Sequence, residues 1–300
     1  MHYSLNLAGV SIFADVPFSL YQSEKTEEFI KASVYADHDN DGLIKATSSA
    51  ALVSSDLCFR LSPTEALPEV KNIQFQEPRR IYVRDGHASA TFFSSHPDRS
   101  PYAYVSRKTI RDGYLNCLYL PGNEVYMNYT HNLITLMDIE TTLLDFDALI
   151  LHASFICWHD MGIIFSAPSG TGKSTQADLW AKYQGAEVLN GDRAALRKVD
   201  GLWRAYGLPY AGTSGIYRNE SASLKAIVAL RQAKENRIRE IRGAEAFRYL
   251  YPETMIHRWD PDFERRATDL LLQLIGDIPV YLLECLPDEG AVKLLHDTIA

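Results

Sequence analysis

The 300-residue sequence has no apolar run of 20 residues and no low-complexity tract, so no helical membrane anchor is expected. Its four cysteines, Cys58, Cys117, Cys157 and Cys285, are far apart and form no CxxC pair, which argues against a disulfide framework or a cysteine metal site. Cys117 and Cys157 stand in apolar, strand-like runs and are expected as buried thiols. A basic stripe of the kind a nucleic-acid surface needs is also lacking. The net charge is −8 and the pI about 5.6, and the most basic stretch, 231–242, is interleaved with Glu235 and Glu240. That stretch reads as an exposed strand and turn with solvated charges. The start, Met1-His2-Tyr3-Ser4, lacks the basic residues and cleavage pattern of a secretory signal, so the expected compartment is the cytoplasm, with neither membrane nor nucleic acid as partner.

What is present is enough apolar residue for a buried core, 46% of the chain, and one dense chemical motif. Residues 167–175 read Ala-Pro-Ser-Gly-Thr-Gly-Lys-Ser-Thr, after the apolar run Gly162-Ile163-Ile164-Phe165 and before a helical pattern over 176–183. This is a strand, a phosphate-cradling loop and a helix N-terminus. Gly170 and Gly172 let backbone N–H groups turn inward where a Cβ would obstruct them, and Ser169 and Thr171 complete the loop. The unpaired amides of the first helical turn, through Thr175, add partial positive charge. Lys173 supplies a full charge for the outer phosphates, and the Ser174 hydroxyl is placed to hold Mg²⁺. The pattern predicts binding of a nucleoside triphosphate with Mg²⁺. Ala167 stands where the generic loop has its first glycine, which fits only if its φ is negative.

Along the chain, the first 130 residues are rich in short alternating runs. Segments 81–83 and 90–93 flank Arg84-Asp85-Gly86-His87, and 114–120 and 125–129 flank Pro121-Gly122-Asn123-Glu124, which predicts two hairpins in a mostly antiparallel sheet. Its tyrosines, Tyr102, Tyr104, Tyr114, Tyr119, Tyr126 and Tyr129, read as a half-buried sheet face. One amphipathic helix is predicted over 132–145. Strands are then expected at 148–158, 162–165, 186–189, 194–198, 203–206, 224–230 and 237–241, and helices at 243–250, 261–276 and 289–298. Trp259 with His257 and Arg258 reads as packing and solvated charge at a helix start. The fold expected is α/β (α+β overall), with a β-rich recognition domain over 1–140 and a P-loop catalytic domain over 141–300.

An apolar strand ending at Asn190-Gly191-Asp192-Arg193 follows the P-loop helix closely, and Leu151-His152-Ala153-Ser154 precedes the loop. With these elements the sequence resembles the HPr kinase/phosphorylase catalytic domain and, more remotely, ATP-dependent phosphoenolpyruvate carboxykinase. The resemblance spans roughly residues 148 to 200. It implies that His152 is the family's histidine before the loop, that Asp192 belongs to the family's acidic pair, and that the chain assembles as an oligomer. In the resembled kinases one acid of the pair binds Mg²⁺ and the other takes the acceptor's proton. Here Gly191 or Arg193 replaces the second acid. Two assignments therefore stay open: Asp192 with Ser174 on the metal and His152 as base, or Asp192 itself as base.

The segment from Tyr206 to Glu220 holds Gly207, Gly212, Gly215, Thr213, Ser214 and Arg218, and reads as a mobile loop able to close over phosphates. Arg218 is the candidate second cation on the transferred phosphoryl group, with Arg231 as its competitor. The function expected is phosphoryl transfer from ATP to a hydroxyl of a protein or peptide Ser or Thr. A small-molecule acceptor (sugar, nucleoside or amino acid) and a catalytically reduced nucleotide-binding module are the alternatives.

Overall fold

Turns with positive φ in adjacent residues close several hairpins, since they match the right-handed twist of the strands they join. Ala8 and Gly9 (φ 53° and 71°) close one, His159 and Asp160 (46° and 62°) a second, and Asp200 and Gly201 (51° and 81°) a third. In the computed structural model these hairpins belong to a mixed α/β protein with two large multi-stranded sheets and few helices. The structure describes residues 1–21, 26–32, 36–38, 44–46, 55–86, 88–210, 212 and 214–300. Contacts divide the chain into two units, Met1–Thr142 and Leu143–Ala300.

The first unit contains β1 (His2–Leu7), β2 (Val10–Asp15), β3 (Ile30–Ala32), β4 (Ala36–His38), β5 (Ile44–Ala46), β6 (Leu57–Pro63), β7 (Ile73–Glu77), β8 (Arg80–Asp85), β9 (Ala88–Phe93), β10 (Ala103–Ser106) and β11 (Tyr114–Tyr119). Nine of these form one sheet in the order β3-β1-β2-β6-β11-β10-β9-β8-β7, and β4 pairs with β5. The β8–β9 hairpin lies where alternation predicts it, although His87 of its turn is outside the described residues. The sheet is mixed, because β6 runs parallel to both β2 and β11. Tyr102, Tyr104 and Tyr119 are buried, Tyr114 and Tyr126 half-buried, and Tyr129 exposed.

Two expectations for this region are corrected. Residues 125–129 are not a strand returning on β11: the chain instead winds into a 3₁₀ turn, Glu124–Tyr126. The Glu124 carboxylate accepts from Gly122 N (2.9 Å), and Asn123 Nδ2 donates to Leu120 O (2.9 Å), so local bonds satisfy the turn without a partner strand. The single helix over 132–145 is two, α1 (Thr130–Leu136) and α2 (Ile139–Leu144), broken at Asp138, whose φ is 47°. The buried Arg107 guanidinium sits 3.4 Å from the Asp138 carboxylate and donates to Met137 O and Asp138 O at 3.0 and 3.1 Å. Helical periodicity carries no record of that tie.

The second unit comprises β12 (Ala148–Trp158), β13 (Met161–Ser166), α3 (Lys173–Gln184), β14 (Glu187–Asn190), β15 (Arg193–Val199), β16 (Leu202–Gly207), β17 (Ser221–Gln232), β18 (Arg237–Ile241), α4 (Gly243–Leu250), α5 (Pro261–Asp277), β19 (Val280–Cys285) and α6 (Glu289–Ile299). The strand β19 has no counterpart among the sequence expectations. Its run is short and apolar, and its pairing, parallel to β17 and antiparallel to β18, identifies it as a strand. Strand pairings close a circuit, β13-β12-β15-β16-β17 and back to β13, while β19 and β18 extend the sheet beyond β17.

Consecutive residues of β13 face opposite cores. Ile163 and Phe165 pack with Ala177 and Trp180 of α3 and with Val292 and Leu295 of α6. Ile164 faces Leu250 of α4 and Phe263, Leu271 and Leu274 of α5. Helices therefore cover both faces, and the C-terminal ends of the parallel strands β13 and β17 lie at the glycine-containing loop that follows β13.

Candidate active site

The loop starts where β13 ends. Ser166 is paired with Ala229 of β17, whose continuation, Leu230-Arg231-Gln232, runs beside the loop. Gln232 Nε2 donates to the carbonyls of Gly170 and Thr171, both at 3.4 Å. Gly170 and Gly172 take φ of 78° and 115°, and no Cβ-sized obstacle lies at either. Ala167 is not among the residues with positive φ, so the methyl group in place of the generic first glycine costs nothing. Helix α3 begins at Lys173, and Gln176 N donates to Gly172 O at 2.9 Å. Ser169 and Gly170 are exposed at the loop's rim, Thr171, Gly172 and Ser174 are half-buried, and Thr175 faces outward.

Lys173 is 7% exposed, and its Nζ donates to Ala167 O at 2.8 Å. Desolvation pulls its pKa below the ordinary lysine value, with Glu253 and Asp192 pulling the other way. A buried ammonium resting on a carbonyl, at a helix start with open glycine backbone, suits a polyphosphate. Ser174 and Asp192 are the residues that would hold its magnesium.

His152 and Asp192 are adjacent because β12 and β15 are antiparallel, with His152 opposite Arg193. Ala153 N donates to Asp192 O at 2.9 Å, and His152 Nε2 lies 3.8 Å from Asp192 Oδ1. The turn carrying Asp192 hangs on Asn190, which is fully buried. Its Oδ1 accepts from Asp192 N and Arg193 N at 2.8 and 2.9 Å, and its Nδ2 donates to Leu208 O and Tyr210 O at 2.8 and 3.1 Å. One side chain thus ties the Asp192 turn to the segment after β16. Approach there is close: a Cβ on Gly191 would come within 2.0 Å of Ser214 Oγ and 2.9 Å of Ser214 Cβ, and one on Gly212 within 3.1 Å of Asp192 Oδ1. Ala211 and Thr213 of this loop are outside the described residues.

Arg193 does not replace an acid; its Nε faces Asp192 Oδ2 at 3.5 Å and its guanidinium covers the Tyr210 ring at 5.1 Å. Arg218 is not brought to the cluster. Its guanidinium lies 3.6 Å from Glu187 and 3.7 Å from Glu220, and Glu187 begins β14 at the end away from Asn190 and Asp192. The acids of its own neighbourhood take the charge that the sequence assigned to a phosphoryl group. The competitor Arg231 does border the loop, where it is ion-paired to Glu284.

A second carboxylate beside His152, which sequence reasoning did not single out, is Glu253. It ends the 3₁₀ turn Tyr251–Glu253 after α4, and its Oε2 lies 2.9 Å from His152 Nδ1. Two cavities meet at it. One of about 500 Å³ is lined by Ser166–Thr171, Leu230–Gln232, Arg248, Tyr249, Pro252 and Glu253. The other, about 250 Å³, is lined by His152, Asp192, Arg193 and Pro252–Met255. No motif surrounds Glu253; it arrives through Thr254, which bridges to Leu151 of β12, so no local signal was available. His257 stacks on Trp259 and Phe263, with ring centroids 5.1 and 4.5 Å apart.

Among the described residues, no helix is long and apolar enough to cross a membrane. No protein-family model matches the chain, and no curated protein matches it. Among solved structures it is similar to the HPr(Ser) kinase/phosphatase from Coxiella burnetii, at 12% identity, over 50% of this chain and 87% of that one, with a TM-score of 0.27.

Proposed function

We propose that the chain is an ATP-dependent kinase that transfers the γ-phosphoryl group to a hydroxyl, that of a protein or peptide Ser or Thr. The observation that carries this reading is one constellation: a buried P-loop lysine, Lys173, electrostatically coupled to Asp192 and Glu253, with His152 in contact with both carboxylates. Phosphoryl transfer has a loose transition state, so positioning and charge neutralisation dominate. Lys173 and the amides of residues 170–174 hold the donor's phosphates. Ser174 and Asp192 would hold Mg²⁺, which would neutralise charge on the phosphate oxygens. The cavity around His152 takes the acceptor, and Glu253 borders both donor and acceptor sides. A kinase for small hydroxyl compounds is the second reading, favoured by the roughly 250 Å³ of that cavity, below the usual range for drug-sized ligands.

Labelled ATP, Mg²⁺ and a Ser/Thr peptide library, followed by a metabolite panel, test both. Label is expected in one acceptor class with the wild-type chain and in neither with Lys173→Ala. Undiminished transfer by that variant overturns the assignment.

A further inference from the structure

We infer that Gln232 is a positioning residue for the phosphate loop, turning the Gly172 N–H toward the phosphates of a bound nucleoside triphosphate. This deepens the phosphoryl-transfer reading above and rests on it for the identity of the anion. Gln232 Nε2 lies 3.4 Å from both Gly170 O and Thr171 O. Only the NH₂ end of an amide can face two carbonyls, so Oε1 is turned away from the loop. In a trans peptide the C=O of one residue and the N–H of the next point in opposite directions, and among the described residues no peptide is cis. A carbonyl held by Gln232 therefore aims the amide that follows it away from Gln232 and into the loop.

The two amides aimed in this way have different roles. Thr171 N donates to Pro168 O (3.2 Å) and closes the loop's own turn. Gly172 O is taken by Gln176 N (2.9 Å) at the start of α3, whereas Gly172 N has no backbone acceptor among the described residues. Gly172 has φ of 115°, and no heavy atom stands within 4 Å of where its Cβ would be, so the space beside that amide is open to an anion. Gln232 itself is fixed by a strand and not by a loop. It ends β17 opposite Cys285 of β19, the next residue, Ala233, donates from N to Cys285 O (3.2 Å), and Leu230 is buried in the core that holds Phe165 and Ala177. The helix end of the loop is tied to the same edge. Gln176 is 3% exposed, and its Nε2 donates to Leu286 O (3.4 Å), just past β19. One glutamine thus sets the helix start against β19, and the other sets the loop's peptide planes against β17.

The test compares the full-length wild type with Gln232→Met, which keeps the length of the side chain and removes its donor. In the nucleotide-free protein the backbone ¹⁵N–¹H resonances of Thr171 and Gly172 are expected to shift in the variant, with the urea midpoint unchanged because Gln232 is exposed. Calorimetry with Mg·ATP and with inorganic triphosphate is expected to show Kd raised about 5- to 30-fold for both ligands, the range for two lost hydrogen bonds. In Mg·ATP hydrolysis KM is expected to rise by a similar factor while kcat stays within about twofold, since the held amide serves ground and transition states alike. Unmoved Thr171 and Gly172 resonances or an unchanged Kd overturn the proposal. A urea midpoint that falls together with the affinity also overturns it, because Gln232 would then be a general brace. If the wild type binds neither ligand, the kinase reading fails, and the nucleotide-free resonances still decide whether Gln232 sets the Gly172 amide.

Discussion

Lys173 shows at the scale of one residue what the proposed phosphate site asks of its cation. Burial disfavours its ammonium form and lowers its pKa from 10.5, and a bound polyphosphate is expected to raise it again. The signs follow. In the free chain the unfolded state binds more protons between the depressed value and 10.5, so this group's contribution to stability grows as pH rises through that window. Affinity for Mg·ATP runs the other way and is expected to fall, the loss beginning below pH 10.5. Calorimetric titrations at stepped pH check this, with Lys173→Arg, which stays charged, expected to show no such fall.

Helix α3 carries the loop's geometry into the core. Trp180 is fully buried, edge-on to Trp158 at 5.5 Å and 6.5 Å from Phe165 of the strand that feeds the loop. Trp180→Ala is expected to cost about 3–5 kcal/mol in urea unfolding and to weaken Mg·ATP binding, because the start of the helix is aligned by that ring. Trp180→Phe, which also removes a buried indole N–H lacking a hydrogen-bond partner, is expected to cost clearly less. The elements around this helix were legible because local chemistry specifies them: the strand, glycines, lysine and hydroxyls of 162–175 lie in one stretch. The break at Asp138 was not, since the guanidinium that stabilises it comes from Arg107, some thirty residues earlier. Residues 125–129 were misread because alternation cannot distinguish a strand from a turn satisfied by its own side chains. Arg218 shows the same limit for charge: Glu220 is its near neighbour in the sequence, but Glu187 reaches it only once β14 is placed.

Over the whole molecule, the four thiols report the state of both units. All are free; Cys58, Cys117 and Cys285 are buried and Cys157 half-buried. Desolvation raises the Cys117 thiol strongly and pushes Cys285 up to about 11. Labelling by a thiol reagent, read by mass spectrometry, is expected at Cys157 in the native protein and at the other three only as denaturant is added, with the Tm unchanged by reductant. A reductant-dependent Tm would contradict this. The catalytic reading was only half legible at this scale: His152, Lys173 and Asp192 fall within some forty residues, whereas Glu253 joins them through the second unit's fold. The bare backbone at Gly191 also has an engineering consequence. Ser214 fills the space an aspartate there would need, so grafting the kinase-type acid pair requires rebuilding the opposing loop in the same design, and a lone Gly191→Asp exchange would unseat the turn it was meant to complete.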